Sequence, residues 1–150
     1  MPRDTDHTAD RHKTYRLDEQ VGYLLRLAGQ RHAAIFQEAM QNGLTPTQFA
    51  AVMRLAELGE CSQNELGRRT AMDVATIKGV IDRLRKKGLV QIHPDPNDKR
   101  RTLLSLTKKQ EETVPDLRAA GFQISDETLA PLTAKERKDL MRILKKISKT

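Results

Sequence analysis

A mainly α fold with one small β element (α+β) is what this 150-residue sequence predicts. Three observations predict it. Apolar residues recur at helical spacing along most of the chain. Capping signatures stand ahead of several of those runs. One stretch, Leu89 to Leu106, instead reads as two short strands around a charged turn.

The elements follow in chain order. Met1 to about Tyr15 is polar, with almost no apolar content, and is expected to be a flexible arm (1–15) ahead of a single domain (16–150). From Leu17 to about Gln41 the spacing predicts one long helix. Leu17, Val21, Leu24, Ala28, Ile35 and Ala39 form its stripe, widened by Leu25, Phe36 and Met40, and Asn42-Gly43 stops it. Thr45-Pro46-Thr47-Gln48 is a helix start with an N-cap, a proline at the first position and a capping box. Ser62-Gln63-Asn64-Glu65 reads as a second capping box and opens a short helix to about Thr70. After a brief turn, Asp73 caps a fourth helix whose stripe is Ile77, Ile81 and Leu84, with Val74 and Val80 beside them. Arg85, Lys86, Lys87 and then Gly88 end it, which suits both the helix dipole and a left-handed C′ residue.

Next come Leu89 to Ile92, a polar turn from Pro94 to Arg101, and Leu103 to Leu106. A helix followed by a β-hairpin with a basic tip is the layout of a recognition helix and wing. The expectation is therefore a winged helix-turn-helix over 44–107. From Thr107 a further helix begins, with Pro115 expected to kink it and Gly121 to loosen it. Thr133 caps a last helix whose apolar face is Leu140, Ile143, Leu144 and Ile147. The flanking segments 16–43 and 108–150 carry apolar stripes with no domain of their own to bury them. They are expected to be dimerisation helices. A two-fold protein would then read a palindromic site in double-stranded DNA, with half-sites about one DNA turn apart.

Charge agrees. The net charge is +7, from 27 Lys and Arg against 20 Asp and Glu. Between Arg68 and Arg101 stand ten cations and four acids, so nearly all of the surplus is there. Aromatics make up 3% of the chain, too few for single-strand binding by stacking. One cysteine excludes an internal disulfide, and a reducing cytoplasm is expected. No signal peptide or membrane-spanning apolar run is seen. No nucleophile elbow, phosphate-binding Gly-rich loop or paired metal ligands point to an enzyme. His7, His12, His32 and His93 form no metal-spaced cluster with Cys61, so neither a metal nor another cofactor is expected.

At the wing the residues match a pattern. Ile81-Asp82-Arg83-Leu84, Lys87-Gly88-Leu89-Val90, Asp95 to Arg100 and Leu106-Thr107 resemble the MarR family of bacterial transcriptional regulators. That family's wing carries an Asp, one residue, an Arg, five residues and Leu-Thr, which here are Asp98, Arg100, Leu106 and Thr107. Leu44 to Phe49 resembles the start of the family's second helix, and the likeness runs from about Leu17 to Ile147. Tyr15 to Met40, with Arg26-Leu27-Ala28-Gly29-Gln30-Arg31-His32, is similar to members that control nicotinate breakdown. The resemblance implies a homodimeric repressor, released from DNA by a small aromatic carboxylate or phenolic effector. A cysteine-based oxidant sensor and a ligand-independent DNA-binding module are the alternatives.

The candidate DNA-binding residues follow from the helix and wing. With the stripe facing inward, Ala75, Thr76, Lys78, Gly79 and Arg83 lie on or near the opposite face. Thr76 can meet a base edge or a thymine methyl, and Lys78 can donate to guanine or to phosphate; its bland reading is a solvated charge. Arg83 is expected to meet phosphate or pair with Asp82. Several family members carry Arg where this chain has Gly79, which implies either a missing base contact or a close backbone approach. In the wing, Arg100 is expected in the minor groove, with Asp98 holding its guanidinium and Lys99 and Arg101 on phosphates. For the effector, the resemblance directs attention to the junction of dimerisation helices and DNA-binding lobe. Candidates there are Arg16, Tyr23, His32, Phe36, Phe49 and Met53, of which the last three also read as plain core. Cys61 stands just before the Ser62 cap, where a thiol pKa can fall.

Overall fold

Capping decides where most of the helices begin. The computed structural model describes residues 14–40 and 43–149. Its first helix, α1 (Val21–Ala39), is the exception, with no side-chain cap. It does not run unbroken from Leu17 as the spacing predicts. Leu17–Glu19 is a separate 3₁₀ turn, and Gln20 between them is extended, its side-chain amide donating to the Arg16 carbonyl at 3.1 Å. The expected arm falls mostly on residues 1–13, and the expected stop at Asn42 falls in 41–42; both lie outside the described residues. Helices α2 (Pro46–Leu58), α3 (Gln63–Arg69), α4 (Val74–Lys86), α5 (Lys108–Thr128) and α6 (Ala134–Ile147) all start alike. Thr45, Ser62, Asp73, Thr107 and Thr133 each accept the backbone N–H three residues on. The box at Ser62 is only half made, because the Glu65 carboxylate turns toward Arg68 at 3.7 Å.

The core lies where α2, α3, α4, α5 and the sheet meet. Val52, Leu55, Leu66, Ile77, Ile81, Leu84 and Leu117 are its fully enclosed large side chains. Burial of each stabilises the fold by roughly 1.5–3 kcal/mol. The turn between α3 and α4 requires a glycine for close approach. A Cβ on Gly67 would stand 3.2 Å from both Ile77 Cγ2 and the Met72 carbonyl. Val74 departs from the predicted stripe and is exposed. As the first helical residue it points toward the helix N-terminus, past the body of the protein.

The hairpin is longer and its turn tighter than the sequence suggests. β2 (Val90–Asp95) and β3 (Asp98–Leu106) pair antiparallel, leaving only Pro96 and Asn97 as the turn. Most of the stretch from Pro94 to Arg101 is thus strand. Pro94 is tolerated because β2 is an edge strand. A short strand β1 (Glu60–Cys61), which no sequence period announces, completes the sheet in the order β1-β3-β2.

α5 passes Pro115 without ending. Gly121 does not loosen α5 but admits a neighbour, since a Cβ there would come 3.0 Å from Phe49 Cζ. α1 packs along α5 and is clamped to its end. The Arg31 guanidinium donates to the carbonyls of Thr128 and Glu127 (2.9 Å for the latter) in the last turn of the helix, where carbonyls lack an i+4 partner. His32 Nδ1 pairs with Thr128 Oγ1 at 2.8 Å. Several apolar side chains of the flanking helices are left uncovered. α6 buries no residue, and α1 buries only Phe36. Val21, Leu24, Leu25, Phe122, Met141 and Ile147 are all exposed.

Candidate nucleic-acid interface

The recognition geometry starts from the two ends of α4. At its N-terminus the Asp73 carboxylate accepts the Thr76 N–H at 2.7 Å. That backbone bond, followed by the Thr76 hydroxyl, holds the Asp73 carboxyl below the usual carboxylate range. At the C-terminus, Gly88 takes φ +73°, its N–H reaches the Arg85 carbonyl and the Leu89 N–H reaches the Leu84 carbonyl. This is a Schellman ending, and it turns the chain directly into β2. Thr107 then ties the far end of the wing back, donating its hydroxyl to the Gly88 carbonyl at 2.8 Å and its N–H to the Leu89 carbonyl at 3.0 Å. Lys87 braces the same corner from the other side, donating to the Gly43 carbonyl (3.3 Å) and to Oε1 of buried Gln48 (3.2 Å). The corner where the helix passes into the wing is therefore held by hydrogen bonds from both sides.

With Ile77, Val80, Ile81 and Leu84 buried, Ala75, Thr76, Lys78 and Arg83 are exposed and Gly79 is half-exposed. Arg83 makes no ion pair with Asp82; its guanidinium lies over Gly79 instead. The wing projects its cations through an irregularity in the ladder. Pro94 pairs with Thr102 and Asp95 with Asp98, so Lys99, Arg100 and Arg101 fall between two pairs that are adjacent on β2. Such a bulge re-aims side chains, and all three cations are exposed. Asp98 acts differently from expectation. Its carboxylate accepts the Arg100 backbone N–H at 3.0 Å, while the guanidinium stays 3.7 Å away. A two-residue spacing sets the acid against the amide, so Asp98 fixes the turn rather than the side chain.

Two contributors are not apparent from the sequence. Arg68 lines a cleft of about 400 Å³ between α3 and the wing together with Arg101, Asn64 and Ser62. Its charge is visible in the sequence, but its proximity to Arg101 is not. Val74, exposed beside Asp73 and Asn64 in a neighbouring cleft, offers an apolar contact of the kind that suits a thymine methyl.

The effector candidates divide. Phe36 and Phe49 meet edge to face, with ring centroids 5.7 Å apart, and Met53 lies one turn beyond Phe49 on α2. His32 is one turn before Phe36 but is occupied with Thr128. Arg16 and Tyr23 stand at the other end of α1, separated from Phe36 by at least ~20 Å at 1.5 Å per helical residue. Cys61 is buried, and burial pushes its thiol pKa up, with Glu65 adding to the rise and Arg69 partly opposing it. This is the reverse of what the nearby cap suggests, and opposite to the low pKa of a reactive thiol. Among the described residues no group of His, Cys, Asp or Glu is arranged to hold a metal ion, and no helix is long and apolar enough to cross a membrane.

Comparison with known proteins adds a further observation. The MarR family model matches residues 44–102. The chain is 41% identical over 134 residues to NicR, an HTH-type transcriptional repressor of Pseudomonas putida, covering 89% of this chain and 85% of NicR. A probable transcriptional regulator from Pseudomonas aeruginosa is 50% identical with a TM-score of 0.83, over 88% of this chain and 99% of that one. Bordetella bronchiseptica BpsR, whose structure concerns regulation of DNA binding by 6-hydroxynicotinic acid, is 38% identical with a TM-score of 0.85, over 91% and 99%.

Proposed function

The chain belongs to the MarR family and is a transcriptional repressor rather than an enzyme; from that premise we propose that it works as a homodimer on a palindromic operator and is released by a small aromatic acid of the nicotinate pathway. The observation that carries the DNA half is that Arg68 lines one cleft with Arg101 of the bulged wing and a neighbouring cleft with Val74 at the start of α4. Ala75, Thr76, Lys78, Gly79 and Arg83 enter the major groove or flank it, Arg100 enters the minor groove, and Lys99 and Arg101 serve phosphates, with Asp98 shaping the turn. The exposed apolar surfaces of α1 and α6 are what a second copy would cover, so 16–43 and 108–150 serve as dimerisation segments.

The effector reading rests on BpsR and on the aromatic pair. Phe36, Phe49 and Met53 supply apolar walls at the junction of α1, α2 and α5. A carboxylate needs a donor there. His32 supplies one if it leaves Thr128, whereas Arg16 and Tyr23 reach the site only from a second copy, given their distance along α1. The test is a footprint of the full chain on the DNA upstream of its own gene, repeated with nicotinic acid and 6-hydroxynicotinic acid. A protected inverted repeat, bound about a thousandfold or more tighter than random DNA and released by the acid, is expected. Absence of any preferred site sinks the repressor reading. A preferred site insensitive to both acids and to simple phenolics sinks only the effector assignment.

A further inference from the structure

We propose that Arg83 is a specificity-determining residue that reads a guanine from the position of Gly79, one helical turn before its own. The proposal rests on the reading of α4 as the groove-entering helix and adds which side chain does the reading. The buried positions fix how α4 is rotated. At about 100° per residue, Gly79 stands nearly opposite Ile77 and Ile81, both fully buried. The middle of the outward face is therefore a residue with no side chain. It is nonetheless only half-exposed. Beyond its chain neighbours and the helix backbone, the three heavy atoms nearest to where its Cβ would be all belong to the Arg83 guanidinium: Nη1 at 3.4 Å, with Cζ and Nη2 at 3.9 Å. Side chains on a helix lean over the preceding turn, which is the direction Arg83 takes.

Two further features make this guanidinium a reader. First, among the described residues it has no hydrogen-bond or ion-pair partner, so its planar fork of donors is uncommitted. Second, the positions it leans over are small, Ala75 and Thr76 in the preceding turn and Gly79 beneath it, while the exposed Lys78 and Asp82 flank that strip. The fork stands above them. A planar fork in that place matches guanine O6 and N7 in the major groove; a lysine can donate to the same atoms but lacks the fixed fork and the reach of the guanidinium. Gly79 is then the notch that lets Arg83 lie forward. A larger side chain there would push the guanidinium back toward Lys86 and Lys87, where contact with phosphate is the natural outcome.

The experiment selects preferred sites for the wild-type chain from a randomised DNA pool. It then measures affinity, at one salt concentration, for the selected site and for each single base-pair change in it. Arg83→Lys and Gly79→Leu are compared with wild type. One G·C pair per half-site should cost the wild type roughly 5- to 150-fold when changed. Both variants should lose that preference while keeping their discrimination at other positions, and Arg83→Lys should keep its affinity for random DNA. Gly79→Leu removes a mid-helix glycine, so its melting temperature should not fall, which separates loss of readout from loss of fold. If both variants retain the wild-type base preference, or weaken evenly on every sequence, Arg83 is a phosphate contact and the proposal is overturned. If the wild type selects no sequence at all, the repressor reading fails with it.

Discussion

Replacing Arg100 by alanine separates folding from recognition more cleanly than any other change in the wing. The Arg100 side chain is 94% exposed, and its nearest charged partner is the Asp98 carboxylate at 3.7 Å. An exposed pair of that length contributes about 0–1 kcal/mol. The backbone bond from Arg100 N to Asp98 survives the substitution. Stability should therefore change by less than about 0.5 kcal/mol. Binding is a different matter. A guanidinium in the minor groove makes charge-assisted hydrogen bonds of about 1.5–3 kcal/mol, and a homodimer presents two of them. Operator affinity should fall by roughly 10²- to 10⁴-fold at fixed salt. Lys99→Ala should mainly flatten the salt dependence, by about 0.9 in log–log slope for each phosphate left without its cation. Fluorescence anisotropy with labelled operator at several salt concentrations reads both. An Arg100→Ala chain that melts normally and binds its operator as tightly as wild type would refute the placement of Arg100 in the groove.

Three further outcomes follow from the same geometry. Lys87→Met removes two hydrogen bonds but leaves Gln48 Oε1 with the Thr45 N–H; since Lys87 is exposed, urea denaturation should show a loss of only about 1 kcal/mol, and a loss above roughly 3 kcal/mol would mean that Gln48 is left unsatisfied. Cys61 should resist thiol reagents in the native state at neutral pH and react on unfolding, and peroxide should leave operator binding unchanged; rapid native-state labelling would restore the oxidant-sensing alternative. Leu24→Glu places a charge on the exposed apolar side of α1, so sedimentation should shift from dimer to monomer with operator binding weakened, whereas a dimer of unchanged stability would move the interface elsewhere.

Much of the helical framework is legible because its signals are local. A capping side chain and the amide it serves are three residues apart, so Thr45, Ser62, Asp73, Thr107 and Thr133 can be read without knowing the fold. The same holds for Gly88 after its basic run, and for Ile77, Ile81 and Leu84 as the inward stripe. The candidate site residues are legible as a set for a related reason. Those proposed for DNA cluster in the sequence between Ala75 and Arg101, on one helix and one hairpin, whereas the effector candidates are scattered from Arg16 to Met53.

What the residues alone determined is thus the order of the main helices and the hairpin, the inward face of α4, the location of positive charge and the likeness to a family. Only the tertiary structure decided the rest, because the rest depends on neighbours distant in sequence. β1 is two residues long and exists because β3 offers it an edge. Gly121 is read correctly only when Phe49 is seen against it, and Arg31 only when the end of α5 arrives beside it. The three wing cations share one bulge because β2 runs short of partners there. Gly79, which in the sequence is simply a gap in a recognition helix, proves to be covered by Arg83, since a long side chain one turn later can lean into space that a missing one leaves.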